Sequence, residues 1–357
     1  MLKADITSKL TGCLIGQAVG DAVGLPCERL SLARQKRLFP DLSRMHFVMG
    51  RGMCSDDTEH MCLTAQALIV SGGDPTRFTR ALAKRLRWWL IGLPAGTGMA
   101  TLKASARLWL GISPSHNGVY SAGNGPAMRA PVLGAAMADD LASMQTLLRI
   151  STRLTHTDPK AEHGAALAAF AAVWSVKGDF SDGWQARFIE FYHTHRLTHD
   201  SELDALLEHV FTSAGKGETV QQFMASLGIS YGVTGYMYHT VPAVLHVWFR
   251  YPLDYRRAIE EMVRAGGDAD TTAAILGGII GTAVGKEGIP LEWRTAIWEW
   301  PRSLIWMEDL SRRLAESRQL KQASAPAPYF WPGLIVRNLF FLLVVVFHGF
   351  RRMLPPF

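Results

Sequence analysis

The chain has 357 residues, 48% hydrophobic and 19% charged, with a formal net charge of +6. That balance supports a large buried core and argues against disorder outside the C-terminal region. Its basic residues are scattered (Lys84, Arg85 and Arg87; Arg312 and Arg313), which reads as a solvated basic face able to attract an anionic substrate rather than as a nucleic-acid groove.

The N-terminus, MLKADITSKL, lacks the apolar run of a secretory signal, so the expected location is cytoplasmic. Cys13, Cys27, Cys54 and Cys62 form no C-x-x-C pair and crowd into the first 62 residues. They read as reduced thiols rather than a zinc site or a disulfide framework.

Gly12, Gly16, Gly20 and Gly24 recur every four residues, and so do Gly277, Gly281 and Gly285. On a helix that spacing lays small residues along one face and lets two backbones approach closely. The reading is of two core helices packed together beside the functional site. Ala-, Leu- and Ile-rich stretches at 61–70, 161–174 and 273–284 exceed typical strand length and predict helices. Gly and Pro cluster between them, at 93–98 (LPAGTG) and 121–126 (SAGNGP), and alternating strand patterns are scarce. The expected fold is all-α.

The C-terminal part differs in character. Residues 322–333 (QASAPAPYFWPG) read as an Ala/Pro linker, so the expected division is a catalytic domain at 1–320, a linker at 321–333 and a hydrophobic segment at 334–357. The unbroken apolar core of that last segment, 339–347, is shorter than the roughly 20 residues a bilayer crossing needs. The segment nearly reaches that length if Arg337 snorkels, and Arg351 and Arg352 follow as surface anchors would. Membrane contact and docking on the protein body both remain open.

Two acidic motifs carry the chemistry: Ser55-Asp56-Asp57-Thr58-Glu59 and Gly266-Gly267-Asp268-Ala269-Asp270-Thr271-Thr272. Each immediately precedes an apolar helical run. Helix capping accounts for one acid in each motif, but not for Asp56 beside Asp57 or for Asp268 and Asp270 around one small residue. Like charges so close repel unless a cation neutralises them. Carboxylate and hydroxyl oxygens are hard ligands suited to Mg²⁺ or Mn²⁺, and together the motifs offer enough of them for two such ions. A third element, 20–28 (GDAVGLPCE), contributes Asp21, read as a cap or core hydrogen-bond acceptor, and Glu28, a loop acid that matters only if the fold brings it to the metals.

These stretches, GCLIGQAVGDAVGLPCE, SDDTEH and GGDADTTAAILGGIIG, resemble the ADP-ribosylglycohydrolase family. Gly123-Asn124-Gly125, Leu154-Thr155-His156 and 235–243 resemble further family segments in the same order, so the likeness runs over roughly residues 10–300. The resemblance implies a compact, orthogonal multi-helix fold with a central dinuclear Mg²⁺ or Mn²⁺ cleft. It implies hydrolysis of the N- or O-glycosidic bond in an ADP-ribosylated protein or small molecule, with release of ADP-ribose. A nucleic acid enters, if at all, only as the modified target.

By position, Ser55, Asp56, Asp57, Asp268, Asp270 and Thr271 are the implied metal ligands. Glu28 and Asp57 are the implied catalytic groups. Ser121, Gly123, Asn124 and Gly125 would hold the pyrophosphate, with Met128 and His156 at the adenosine or cleft wall. Two departures stand out. Residues 95–101 (AGTGMAT) replace a family segment whose Asp faces the leaving group, removing the group that suits a guanidinium. Ala122 stands where an aromatic often precedes the G-N-G loop. Two other readings compete with an active hydrolase: an ADP-ribose-binding module without turnover, and a membrane-tethered scaffold.

Overall fold

The computed structural model describes residues 3–353, so the ends of the chain, including 354–357 of the hydrophobic segment, lie outside the described residues. In chain order the helices are α1 (Lys3–Gly24), α2 (Leu32–Leu38), α3 (Asp56–Ser71), α4 (Pro75–Ile91), α5 (Met99–Trp109) and α6 (Ala130–Ala136). Then come α7 (Leu141–Arg153), α8 (Pro159–Lys177), α9 (Trp184–His195), α10 (Ser201–Gly215), α11 (Val220–Ser226) and α12 (Met237–Arg250). The chain closes with α13 (Tyr255–Arg264), α14 (Ala269–Val284), α15 (Leu291–Ala296), α16 (Leu304–Leu320) and α17 (Trp331–Met353). Among the described residues β pairing is confined to isolated bridges, so the chain is all-α.

Each predicted helical stretch lies inside a longer helix, 61–70 in α3, 161–174 in α8 and 273–284 in α14. The helices start earlier because their first turns are polar. Ser55 caps α3 by accepting from the Asp57 amide, and Asp158 caps α8 with Pro159 at the first helical position. Gly72 and Gly178, both left-handed, end these two helices.

The centre of the molecule is the antiparallel pair α1 and α14, flanked by α3, α16, α8, α12 and α13. Its contact is made backbone on backbone. A Cβ at Gly12, Gly16, Gly20 or Gly24 would sit 2.0, 2.2, 2.1 or 2.3 Å from the carbonyl oxygens of Gly281, Gly277, Ala273 and Ala269. No side chain larger than hydrogen fits there. The antiparallel sense matters for function, because it brings the C-terminal end of α1, and the loop that carries Glu28, to the N-terminal end of α14. α1 is long and apolar enough to cross a membrane by composition, but its burial in the core explains that composition.

The chain between α16 and α17 lies along α3: the Ser324 amide donates to Ile69 O, and Gln66 Nε2 donates to Ala327 O. α17 docks through one face. Arg337 pairs with Glu299 and donates to Cys54 O, Asn338 Nδ2 donates to Gly92 O at 2.7 Å, and Phe341 is buried beside Phe47. The opposite face, including Leu343, Val346 and Phe347, is exposed. Cys13, Cys27, Cys54 and Cys62 are free and buried.

Replacing Gly281 with Ala pushes a methyl group into Gly12 O, and overpacking of a rigid backbone contact costs about 1–3 kcal/mol or more. Gly215→Ala on α10, where nothing lies within 4 Å, should be neutral or gain up to about 1 kcal/mol. Chemical denaturation of both variants measures the contrast. Equal stabilities would mean that the two helices are not in backbone contact.

Candidate metal centre

The N-terminal ends of α3 and α14 meet at one cavity of about 680 Å³. Positive ends of helix dipoles favour negative charge there, but an aspartate placed for capping alone would bond its own helix. Asp268, at the N-cap position of α14, makes no side-chain cap bond. Its Oδ2 instead accepts from Asn124 Nδ2 at 2.6 Å. Asp21, reaching from α1, takes over the amides at the start of α3. It accepts from Ser55 N at 2.9 Å, Thr58 N at 3.2 Å and Thr58 Oγ1 at 2.5 Å. Asp21 is thus the core acceptor expected, and Asp56 and Asp57 are released from capping.

The two motifs touch across 214 positions: Thr271 Oγ1 donates to Asp57 Oδ2 at 3.0 Å. Ser55 Oγ donates to the same oxygen at 3.0 Å. Asp57 Oδ1 is buried and has no hydrogen-bond partner among the described residues. Oxygens of Glu28, Asp268 and Asp270 come within 4.8 Å of one another. Glu28, Asp56, Asp268, Asp270 and Thr271 line the cavity, while Ser55 and Asp57 are buried under its floor.

Burial dominates the electrostatics. It raises Asp56 to about 8, with help from the charges of Asp21 and Glu59. Burial first, then Asp56, Asp21 and Asp268, holds Asp57 well above the usual carboxylate range. Asp270 is raised by burial and by Glu28, Asp268 and Asp57. In each case the neighbours that raise the proton affinity are other carboxylates, the arrangement a cation relieves. An unpartnered buried oxygen and a donor set made only of carboxylates and hydroxyls fit hard divalent ions.

The substrate side is built by loops stitched edge to edge. Asp268 N donates to Val233 O, Arg29 N to Gly267 O, Asn124 N to Gly235 O and Val119 N to Thr155 O. Gly266 and Gly267 both take left-handed φ, and a Cβ on Gly267 would lie 2.0 Å from Val233 O, so the Gly-Gly pair is required. Ser121, Gly123, Asn124, Gly125, Met128 and His156 all line the cavity. Two of the loop donors are already used: Gly123 N bonds Ser121 Oγ, and Asn124 N bonds Gly235 O. His156 packs under the loop, 2.9 Å from where a Cβ on Gly125 would stand, and burial lowers it to about 3, so it is a neutral wall.

One further role and two further members of the site escaped notice in the sequence: the carboxylate-orienting role of Asn124, and the residues Gln17 and Tyr231. The side chain of Asn124 bridges Asp268 and Thr240 Oγ1, so it orients a carboxylate as well as lining the cleft. Gln17 on α1 donates to both Asp57 O and Met128 O, tying the first acidic motif to the G-N-G region. Tyr231 supplies an exposed ring at the cavity edge. The Asn124–Asp268 link and the part played by Gln17 rest on contacts 40 to 144 positions apart. Gly96, Gly98, Met99, Ala100 and Thr101 do line the cavity, and they offer it no carboxylate.

A profile of the ADP-ribosylglycohydrolase family matches residues 2–324. An uncharacterized protein of Archaeoglobus fulgidus is 30% identical over 86% of this chain and 96% of its own length. The ADP-ribosyl-[dinitrogen reductase] glycohydrolase of Rhodospirillum rubrum is 23% identical over 82% and 91%. ADP-ribosylhydrolase ARH3 of Danio rerio is 27% identical over 88% and 92%. A solved structure titled ADP-ribosylglycohydrolase-related protein complex superposes with a TM-score of 0.68 at 26% identity, over 88% of this chain and 99% of that one.

Mg²⁺ or Mn²⁺ should raise the unfolding temperature and a chelator should reverse the rise. A ligand at 100 times its Kd adds about 2.7 kcal/mol. Asp57→Asn should unfold at a higher temperature than wild type without metal, because the cost of burying an acid among other carboxylates is gone, and should lose the metal-dependent increment. Calorimetry with and without the ion reads both effects; an Asp57→Asn protein that keeps the full increment would remove Asp57 from the centre.

Proposed function

This chain belongs to the ADP-ribosylglycohydrolase family, and from that premise we propose that it is a metal-dependent hydrolase that releases ADP-ribose from an ADP-ribosylated protein side chain or small molecule. The observation that carries this reading is the convergence of Asp56, Asp268 and Asp270 at the floor of one cavity, with Glu28 beside them and Asp57 buried just beneath, bonded to Thr271.

Ser55, Asp56 and Asp57 from α3 and Asp268, Asp270 and Thr271 from α14 would hold two Mg²⁺ or Mn²⁺ ions, which supply Lewis acidity toward ribose hydroxyls and an activated water. The chain's own groups do the rest. Ser121 and the Gly123–Gly125 loop receive the pyrophosphate. Because the Gly123 and Asn124 amides are engaged, the Gly125 amide and the Ser121 hydroxyl carry most of that contact. Met128 and the neutral His156 close the wall, and the Tyr231 ring is placed to cover a base. Glu28 lies on the open side of the carboxylate cluster, where it can give a proton to the leaving group as the anomeric bond breaks. Water adds at the anomeric carbon and its proton returns to a carboxylate, with Asp57 orienting the floor of the site.

The leaving-group side, 96–101, is neutral, which favours an O-linked or other uncharged partner over a guanidinium. Intact acids at every ligand position speak against a binding module without turnover. The catalytic unit spans 1–320, and the packed 321–330 stretch joins it to α17, whose first turn takes up 331–333 of the expected linker. With the face of Arg337 occupied, the opposite face of α17 would lie on a membrane surface rather than cross it; exposed Trp298 and Trp300 adjoin it, and Arg351 closes it with positive charge. The expected location is the cytoplasm or the cytoplasmic membrane face.

Serine-, arginine- and nucleotide-linked ADP-ribose incubated with enzyme and Mg²⁺ or Mn²⁺ should release ADP-ribose, the arginine-linked form slowest. Asp268→Ala/Asp270→Ala should lose at least about 10³-fold, the scale of a metal-supplied nucleophile and Lewis acid. Equal rates in wild type and double variant would dismiss the mechanism. Flotation with anionic phospholipid vesicles checks the α17 surface: wild type should float and Leu343→Glu/Phe347→Glu should not, whereas identical behaviour would exclude membrane contact through this face.

A further inference from the structure

A second cavity, of about 720 Å³, opens between α4, the C-terminal half of α3 and the 326–334 strap, and shares no lining residue with the metal-centre cavity. Its walls are apolar: Leu63 and Val70 from α3, Trp88 and Trp89 from α4, Trp331 and Leu334 from α17. α4 sets Arg77, Arg80 and Lys84 about one turn apart along the cavity, with Arg85 beside Lys84. Among the described residues none of these four has a carboxylate within ion-pair distance, and no lining residue is acidic. Arg77, Arg80 and Lys84 are exposed at the mouth, while Arg85 is half-buried.

Two buried polar atoms at this cavity, one on Arg302 and one on Gln66, lack hydrogen-bond partners among the described residues. Arg302 is 5% exposed and uses Nη2 on Glu59, but its Nη1 makes no hydrogen bond among the described residues. Gln66 is 3% exposed; its Nε2 is bonded to Ala327 O and its Oε1 to nothing. Of the two, the Arg302 Nη1 donor is the one an anionic ligand oxygen can complete, whereas the Gln66 Oε1 acceptor is left to water. Apolar walls of this extent disfavour bare phosphate, and four cations without a carboxylate partner among the described residues disfavour a neutral lipid.

We propose that this cavity is a second binding site, for an organic anion with an apolar body: an acyl or aryl carboxylate whose chain lies among the tryptophans. Cations on α4 draw the charged end in, and Arg302 Nη1 donates to a ligand oxygen. Occupancy is independent of ADP-ribose, because the two cavities are separate.

Isothermal titration of the full-length protein with dodecanoate below its micelle concentration tests this, with dodecanol and inorganic phosphate as comparison probes. Dodecanoate should bind saturably and one-to-one, shift the tryptophan emission, and be unaffected by ADP-ribose. Dodecanol and phosphate should each bind at least about tenfold more weakly. Reversal of two exposed mouth charges, Arg80→Glu/Lys84→Glu, should weaken dodecanoate about tenfold and leave dodecanol unchanged. The circular dichroism spectrum and unfolding temperature of that variant should match wild type. Equal affinity for dodecanoate and dodecanol, an unchanged dodecanoate affinity in the folded variant, or displacement by ADP-ribose would each overturn the proposal.

Discussion

Carboxylates withdrawn from water repel one another, and the protein places Asp56, Asp57, Asp268 and Asp270, with Glu28 above them, around one cavity floor. Burial and mutual repulsion push these groups toward protonation, so the arrangement carries a standing cost unless positive charge is supplied. The neighbourhood provides little of its own. Arg29 pairs with Glu28 from the exposed side, and the buried Arg302 is turned away onto Glu59. What remains is a cage of hard oxygens whose natural complement is a divalent cation.

The helical scaffold keeps that cage from relaxing apart. Backbone contact along α1 and α14 fixes where Asp268 and Asp270 emerge, since Gly24 lies against Ala269 and Asp270. Asp21 holds the first turn of α3 from the same helix α1, so one element sets both halves of the site. A second support comes from the C-terminus. Glu299 accepts from the Cys54 amide and pairs with Arg337, which ties α17 to the residue just before the first acidic motif. The outer helix is therefore coupled structurally to the floor of the cavity.

Much of this was legible in the sequence, because its signals are local and periodic. Glycines at every fourth position predicted close helix packing, and apolar runs predicted α3, α8 and α14. Paired acids before those runs pointed to a cation, and every residue expected at the metals or the substrate sits in the cavity or directly beneath it. Relationships between distant segments were not legible. That Asn124 orients Asp268, or that Gln17 joins Asp57 to Met128, follows from the fold and from no pattern in the chain. The C-terminal segment shows the same limit: its hydropathy left membrane contact and docking open, and the buried contacts of Arg337, Asn338 and Phe341 show which face is held. Likewise the Ala/Pro stretch reads as a connector, yet its backbone is hydrogen-bonded along α3.

The most direct measurement is the anomalous scattering of crystals grown with Mn²⁺. Two peaks roughly 3.5–4 Å apart, bounded by Asp56 and Asp57 on one side and Asp268 and Asp270 on the other, are predicted. Mn²⁺ bound only elsewhere, with this cavity empty and its carboxylates unmoved, would contradict the account.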